Sequence, residues 1–102
     1  MTEAARRQRK VKILATLGPS SNDKETIKNL FLAGADVFRL NLSHGTHAEI
    51  RKLHQLIREI ETELMRPICI MADLQGPKIR CGSFKDGSVE LFAGDKFVFD
   101  LD

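Results

Sequence analysis

In the run Val37 to Ser43, Arg39, Asn41 and Ser43 alternate with Phe38, Leu40 and Leu42. An extended chain there carries a guanidinium, an amide and a hydroxyl on one face. A planar guanidinium can fork onto phosphate or carboxylate oxygens, and amide and hydroxyl oxygens near a carboxylate can coordinate a hard cation. A face of this kind suits anions and the cations that accompany them. Asp73 is a second candidate, an acid closing the otherwise apolar run Ile68-Cys69-Ile70-Met71-Ala72. After it, the rigid turn Gly76-Pro77 can present Lys78 and Arg80 to a single anion. Other patterns are weaker. Gly18-Pro19-Ser20-Ser21 lacks the spacing of a phosphate-binding loop and reads as a turn. His44, His47 and His54 lack metal-ligand spacing, and no Ser/His/Asp or Cys/His pairing supports a nucleophile.

These side chains need elements to hold them. Val11 to Leu17 is a nearly unbroken apolar run closed by Gly18-Pro19-Ser20, the pattern of a strand buried on both faces. Asn22 and Glu25 form a capping-box spacing, and Ile27, Leu30 and Phe31 follow on one helical face before Gly34 supplies a stop. Val37 to Ser43 is the second strand. Thr46 and Glu49 make a second capping box, and Ile50, Leu53, Ile57, Ile60 and Leu64 recur at helical spacing until Pro67. Ile68 to Ala72 is the third strand. Strand, helix, strand, helix, strand under the right-handed crossover rule builds a parallel sheet, whose carboxyl edge is where ligands bind. A strand with one solvent-facing side would also explain the polar face of Val37 to Ser43. That explanation is weakened by neighbours that read as apolar on both faces. From Lys78 onward helical spacing stops. Asp86-Gly87 reads as a hairpin-type turn, Val89 and Leu91 alternate with polar neighbours, and Phe97, Phe99 and Leu101 alternate up to Asp102. No element closes this last part, so the chain reads as cut rather than finished.

The 102 residues make one small domain, and about half are apolar once glycine is included, a globular composition. No apolar run approaches the ~18 residues of a membrane span, and the start lacks the apolar segment of a secretory signal, which points to the cytoplasm. Residues 1–12 hold five Lys/Arg against Glu3, while the rest of the chain is slightly acidic. The basicity therefore belongs to a tail without aromatic residues, read as a solvated extension rather than a nucleic-acid-binding surface. Cys69 and Cys81 lack CxxC spacing and read as two reduced, packed thiols.

Three segments carry a family resemblance. Val11-Lys12-Ile13-Leu14-Ala15-Thr16-Leu17-Gly18-Pro19-Ser20-Ser21 is the first, and Ala33-Gly34-Ala35-Asp36-Val37-Phe38-Arg39-Leu40-Asn41-Leu42-Ser43-His44-Gly45 the second. The third is Ala72-Asp73-Leu74-Gln75-Gly76-Pro77-Lys78-Ile79-Arg80. In order and spacing they resemble the amino-terminal part of the pyruvate kinase family, from Val11 to about Gly82. The R-x-N-x-S-H-G and D-x-x-G-P-x-I-R strings are the specific part. The resemblance implies an α/β fold: a βαβαβ segment of a (β/α)8 barrel over 11–80, after a basic tail at 1–10. The first strands of a β-rich inserted domain would follow at 81–102.

The activity implied is that of a glycolytic phosphotransferase, moving the phosphoryl group of phosphoenolpyruvate to ADP to give pyruvate and ATP. Arg39 would be the catalytic residue that holds the phosphoryl group. Asn41, Ser43, Asp73 and the Leu74 carbonyl would line a potassium (K+) site, and Asn41, His44 and Arg80 would lie toward the nucleotide phosphates. Mg2+ would be bound by residues outside this chain. Leu74 stands where Thr is frequent, which matters little for a backbone ligand, and Gln75 replaces a frequent Lys. A chain with only three barrel strands is expected to be inactive alone and to self-associate. The competing reading is a non-catalytic anion-binding or assembly module of the same fold.

Overall fold

The computed structural model describes residues 7–101, which contain a parallel three-stranded sheet in the order β1-β2-β3. The strands are β1 (Leu14–Thr16), β2 (Val37–Asn41) and β3 (Cys69–Asp73), linked through α1 (Lys24–Ala33) and α2 (His47–Leu64). Parallel neighbours cannot be joined by a tight turn, so each connection crosses over in a helix that satisfies its own backbone. The element order is the one read from the sequence.

Helix ends follow local chemistry. The Thr46 hydroxyl accepts from the Glu49 amide at 3.3 Å and the Glu49 carboxylate accepts from the Thr46 amide at 2.6 Å, the expected reciprocal cap of α2. At α1 the expectation is corrected: the cap is Asp23, whose carboxylate accepts from the Thr26 amide at 2.9 Å. Asn22 instead closes a single 3-10 turn at Pro19–Ser21. A carboxylate also meets the positive end of the helix dipole, which an amide does not. Gly34 ends α1 at φ +133°, a conformation open to glycine.

The core is one-sided. Phe38 and Leu40 of β2 are buried against Ile27 and Phe31 of α1 and Ile57, Ile60 and Leu64 of α2. Parallel register puts Leu14, Thr16, Val37, Arg39, Asn41, Cys69, Met71 and Asp73 on the other face, and none of them is fully buried. This corrects the expectation that the first and third strands are covered on both sides. Both helices pack on one face; in a closed barrel the other is covered by strands across the interior, which three strands cannot provide. The same geometry corrects the expected packed thiols: Cys69 and Cys81 are free and exposed.

Beyond β3 the described residues form no strand. A turn closes from Phe84 to Gly87, with the Gly87 amide donating to the Phe84 carbonyl at 3.0 Å, and another from Phe92 to Asp95. Phe97 meets Phe84 and Phe99 edge-on, at ring-centre distances of 6.4 and 5.1 Å. The alternating Val89, Leu91 and Leu101 stay exposed, so the strands expected in this segment are absent. A hairpin is marginal without a surface to bury its apolar face, and nothing here packs against it. The radius of gyration, 19.0 Å against about 13 Å for a compact chain of this size, reflects that extension.

At the amino edge of the sheet the basic segment is docked, which corrects the reading of a solvated tail for Arg7 and Arg9; residues 1–6 of that tail lie outside the described residues. Asp36 accepts from Arg7 Nε at 3.0 Å, Arg9 Nη1 at 2.7 Å and the Ile13 amide at 2.8 Å. Arg7 also donates to the Phe31 and Ala35 carbonyls at the end of α1 and lies 4.6 Å above the Phe31 ring. The Arg7 and Asp36 side chains are only 8% and 10% exposed. Burial pushes the Asp36 carboxyl up, but the hydrogen bonds from Ile13, Arg9 and Arg7 outweigh it and hold the pKa at about 2.

Replacing Asp36 by Ala removes the counter-ion of two guanidiniums and is expected to cost about 3 kcal/mol at neutral pH, read by chemical denaturation. The folded carboxyl titrates below its ordinary value of 3.8, so its stabilisation is complete above that pH and is lost as pH falls toward 2. The gap between wild type and Asp36→Ala should close across that window. The uncovered face should also make the chain associate as concentration rises, and Leu14→Glu with Met71→Glu should lower the mass seen by light scattering while helix content stays unchanged.

Candidate active site

Three strands converge on one guanidinium at the carboxyl edge. Register sets Thr16 of β1 opposite Arg39 of β2, and Asn41 of β2 opposite Asp73 of β3. Arg39 Nε donates to Asp73 Oδ2 at 2.9 Å, Nη2 donates to the same oxygen, and Nη1 donates to Thr16 Oγ1 at 3.3 Å. These bonds engage three of the five guanidinium N–H groups, leaving two. The Arg39 and Asp73 side chains are 26% and 45% exposed, so water screens the pair. It orients the guanidinium more than it stabilises the fold.

The chain leaving β2 is tied down locally. Asn41 Oδ1 accepts from the Ser43 amide at 3.1 Å, and the Asn41 carbonyl accepts from the His44 amide at 3.3 Å. Asn and Ser favour such tight turns because a side-chain oxygen can stand in for a backbone acceptor. The Leu42 amide donates to the Asp73 carbonyl at 3.0 Å, fixing this turn against the end of β3. Beside it lies a cleft of about 460 Å³ lined by Ser43, His44, Gln75, Gly76, Lys78 and Arg80. Lys78 and Arg80 make no ion pair among the described residues, so the cleft presents two cations with no paired carboxylate.

The sequence candidates fall into two groups. Arg39, Asn41 and Asp73 share the uncovered sheet face, whereas Ser43, His44 and Arg80 line the cleft. Leu74 is the first residue past β3 and its side chain is exposed. Thr16 was not among the candidates: the alternation of the first strand places it on a face, and only register sets it opposite Arg39. The side chains of Asn41, Ser43 and Asp73 and the Leu74 carbonyl supply oxygen donors only, which suits potassium. Asn41 Oδ1 and Asp73 Oδ2 are already hydrogen-bonded to Ser43 and Arg39, leaving Asp73 Oδ1 as the carboxylate oxygen available. Among the described residues no three His, Cys, Asp or Glu side chains come together as metal ligands.

Parallel strands, crossover helices and a cationic site at the carboxyl edge define an α/β segment, the unit that α/β barrels repeat. The sequence matches the family model described as pyruvate kinase, barrel domain, over residues 8–102. It is 50% identical over 97 residues to the pyruvate kinase of Methylorubrum extorquens, covering 95% of this chain and 20% of that protein. With the pyruvate kinase of Thermococcus litoralis it shares 47% identity over 89 residues, 87% of this chain and 19% of the relative. The crystal structure of a pyruvate kinase from Cryptosporidium parvum matches it with a TM-score of 0.70 at 41% identity, over 78% of this chain and 16% of the other. The chain belongs to the pyruvate kinase family, whose members are phosphotransferases. It spans about one fifth of the length of the curated relatives it matches.

The half-exposed pair should couple weakly. A double-mutant cycle of Arg39→Ala and Asp73→Ala, read by denaturant unfolding, is expected to give less than about 1 kcal/mol.

Proposed function

We propose that this chain forms the phosphoryl-binding part of a pyruvate kinase site, in a protein that transfers the phosphoryl group of phosphoenolpyruvate to ADP, giving pyruvate and ATP. The observation that carries this reading is Arg39, anchored from both neighbouring strands at the carboxyl edge with two donors unspent. In-line transfer between anions depends mainly on positioning and charge neutralisation. A guanidinium whose plane is already set meets both needs, because it can bind two phosphoryl oxygens without reorganising. Family membership supports the choice of substrate and acceptor.

The remaining roles rest on the family resemblance. Asn41, Ser43, Asp73 and the Leu74 carbonyl would hold potassium, which would supply positive charge to offset that of the anions. Asn41, His44 and Arg80 face the nucleotide phosphates, with Arg80 reaching them from the cationic cleft next to His44. Mg2+ is held by residues beyond this chain. Residues 11–80 form barrel wall and residues 81–102 open the inserted domain, in a protein of the cytoplasm.

The test has two arms. The pure 102-residue chain should give no metal-dependent pyruvate from phosphoenolpyruvate and ADP, and a chain extended through the rest of the barrel should. Detectable turnover by the short chain alone overturns the division of the site between this segment and the rest. In the extended enzyme Arg39→Lys should lower kcat/KM about ten- to hundredfold with an unchanged melting temperature, since an ammonium cannot replace the fork. Unchanged kcat/KM removes Arg39 from the site.

A further inference from the structure

Among the described residues, Thr16 is the one side chain hydrogen-bonded to Arg39 that has no role in the transfer chemistry above. We infer that Thr16 is a positioning residue that fixes the plane of the Arg39 guanidinium for a phosphoryl dianion, an inference that rests on Arg39 being the phosphoryl ligand.

The geometry separates the two supports. Nε and Nη2 of Arg39 both grip a single oxygen, Oδ2 of Asp73. A one-oxygen contact sets the distance of the guanidinium but leaves its plane free to swing about that atom. The bond from Nη1 to Thr16 Oγ1, 3.3 Å long, comes from the strand on the opposite side and removes that freedom. Three N–H groups are then committed on two sides, and the two that remain are held in one orientation. Binding an anion with a pre-set fork avoids the entropy of ordering a long side chain.

Residue type and register agree with this role. Thr16 is the direct register partner of Arg39, so the β1–β2 ladder itself places the hydroxyl, and no flexible loop intervenes. The hydroxyl accepts without carrying charge. A carboxylate at this position would neutralise the guanidinium that the phosphoryl group needs, and an aliphatic side chain would leave Nη1 without an anchor. Thr is also a good strand former, and a purely conformational role would be met equally by Val, which has the same shape and the same preference for strands. That equivalence makes the experiment decisive.

The full 102-residue chain, labelled with nitrogen-15, is titrated with inorganic phosphate while the Arg39 Nε–Hε resonance is followed, assigned through its loss in Arg39→Lys. Thr16→Val is expected to weaken phosphate binding about three- to tenfold, the loss of one long, water-exposed hydrogen bond. It should also speed exchange of Hε with water, leaving the backbone amide spectrum and melting temperature unchanged. Thr16→Ser, which restores the hydroxyl, should return both readings toward wild type. Thr16→Ala is read in the same way if the Val variant does not fold. Equal affinity and exchange in wild type and the hydroxyl-free variants overturn the role of Thr16 while leaving Arg39 as the anion ligand. Wild-type chain whose Arg39 resonance does not respond to phosphate overturns the phosphoryl reading of Arg39, and this inference with it.

Discussion

The parallel ladders on either side of β2 are the constraint from which the rest follows. Backbone hydrogen bonds join Val37 through Arg39 to Leu14 through Thr16, and Val37 through Asn41 to Cys69 through Asp73. Parallel pairing rules out tight connections, so two helices must cross over and cover one face of the sheet. It also brings the carboxyl ends of all three strands to one edge. Side chains on the other face are then compared strand by strand, and Thr16, Arg39 and Asp73 meet because the ladders allow no slip: a one-residue shift would turn Arg39 into the helix-covered core.

Two aspartates at opposite edges of this sheet show how burial changes what an ion pair contributes. Asp36, at the amino edge, is nearly enclosed and meets two guanidiniums and an amide, so removing it leaves both guanidiniums without their counter-ion. Asp73, at the carboxyl edge, meets one guanidinium within reach of water, where the pair contributes little stability and serves to aim a side chain. In barrels the amino face concerns stability and the carboxyl face chemistry, and the two aspartates of this segment differ in burial in the same sense.

The uncovered face and the extended residues after Asp73 share one physical origin. Leu14, Met71 and Cys69 face away from both helices, and Val89, Leu91 and Leu101 lie along a segment with nothing to pack on. Apolar alternation records which side of a strand prefers burial, and burial happens only when another surface arrives. Where α1 and α2 arrive, at Phe38 and Leu40, the pattern becomes a core; where none does, turns such as Phe84 to Gly87 form and strands do not.

Sequence alone determined what depends on near neighbours in the chain: the order of strands and helices, the Thr46–Glu49 cap, the stop at Gly34 and the polar face bearing Arg39 and Asn41. Each of these is decided within a few residues, by side-chain spacing or by a hydrogen bond reaching three positions along. Its specific strings also carried the family. Tertiary structure decided what requires two distant segments to meet. The docking of Arg7 and Arg9 on Asp36 joins residues that composition read as a free tail, and the anchoring of Arg39 by Thr16 depends on register between strands separated by α1. Asp23 displacing Asn22 as the cap of α1 was also beyond pattern reading, because both residues have capping chemistry and only the path of the preceding 3-10 turn chooses between them. Which apolar faces became core was settled last, since burial belongs to a pair of surfaces and a sequence pattern describes only one of them.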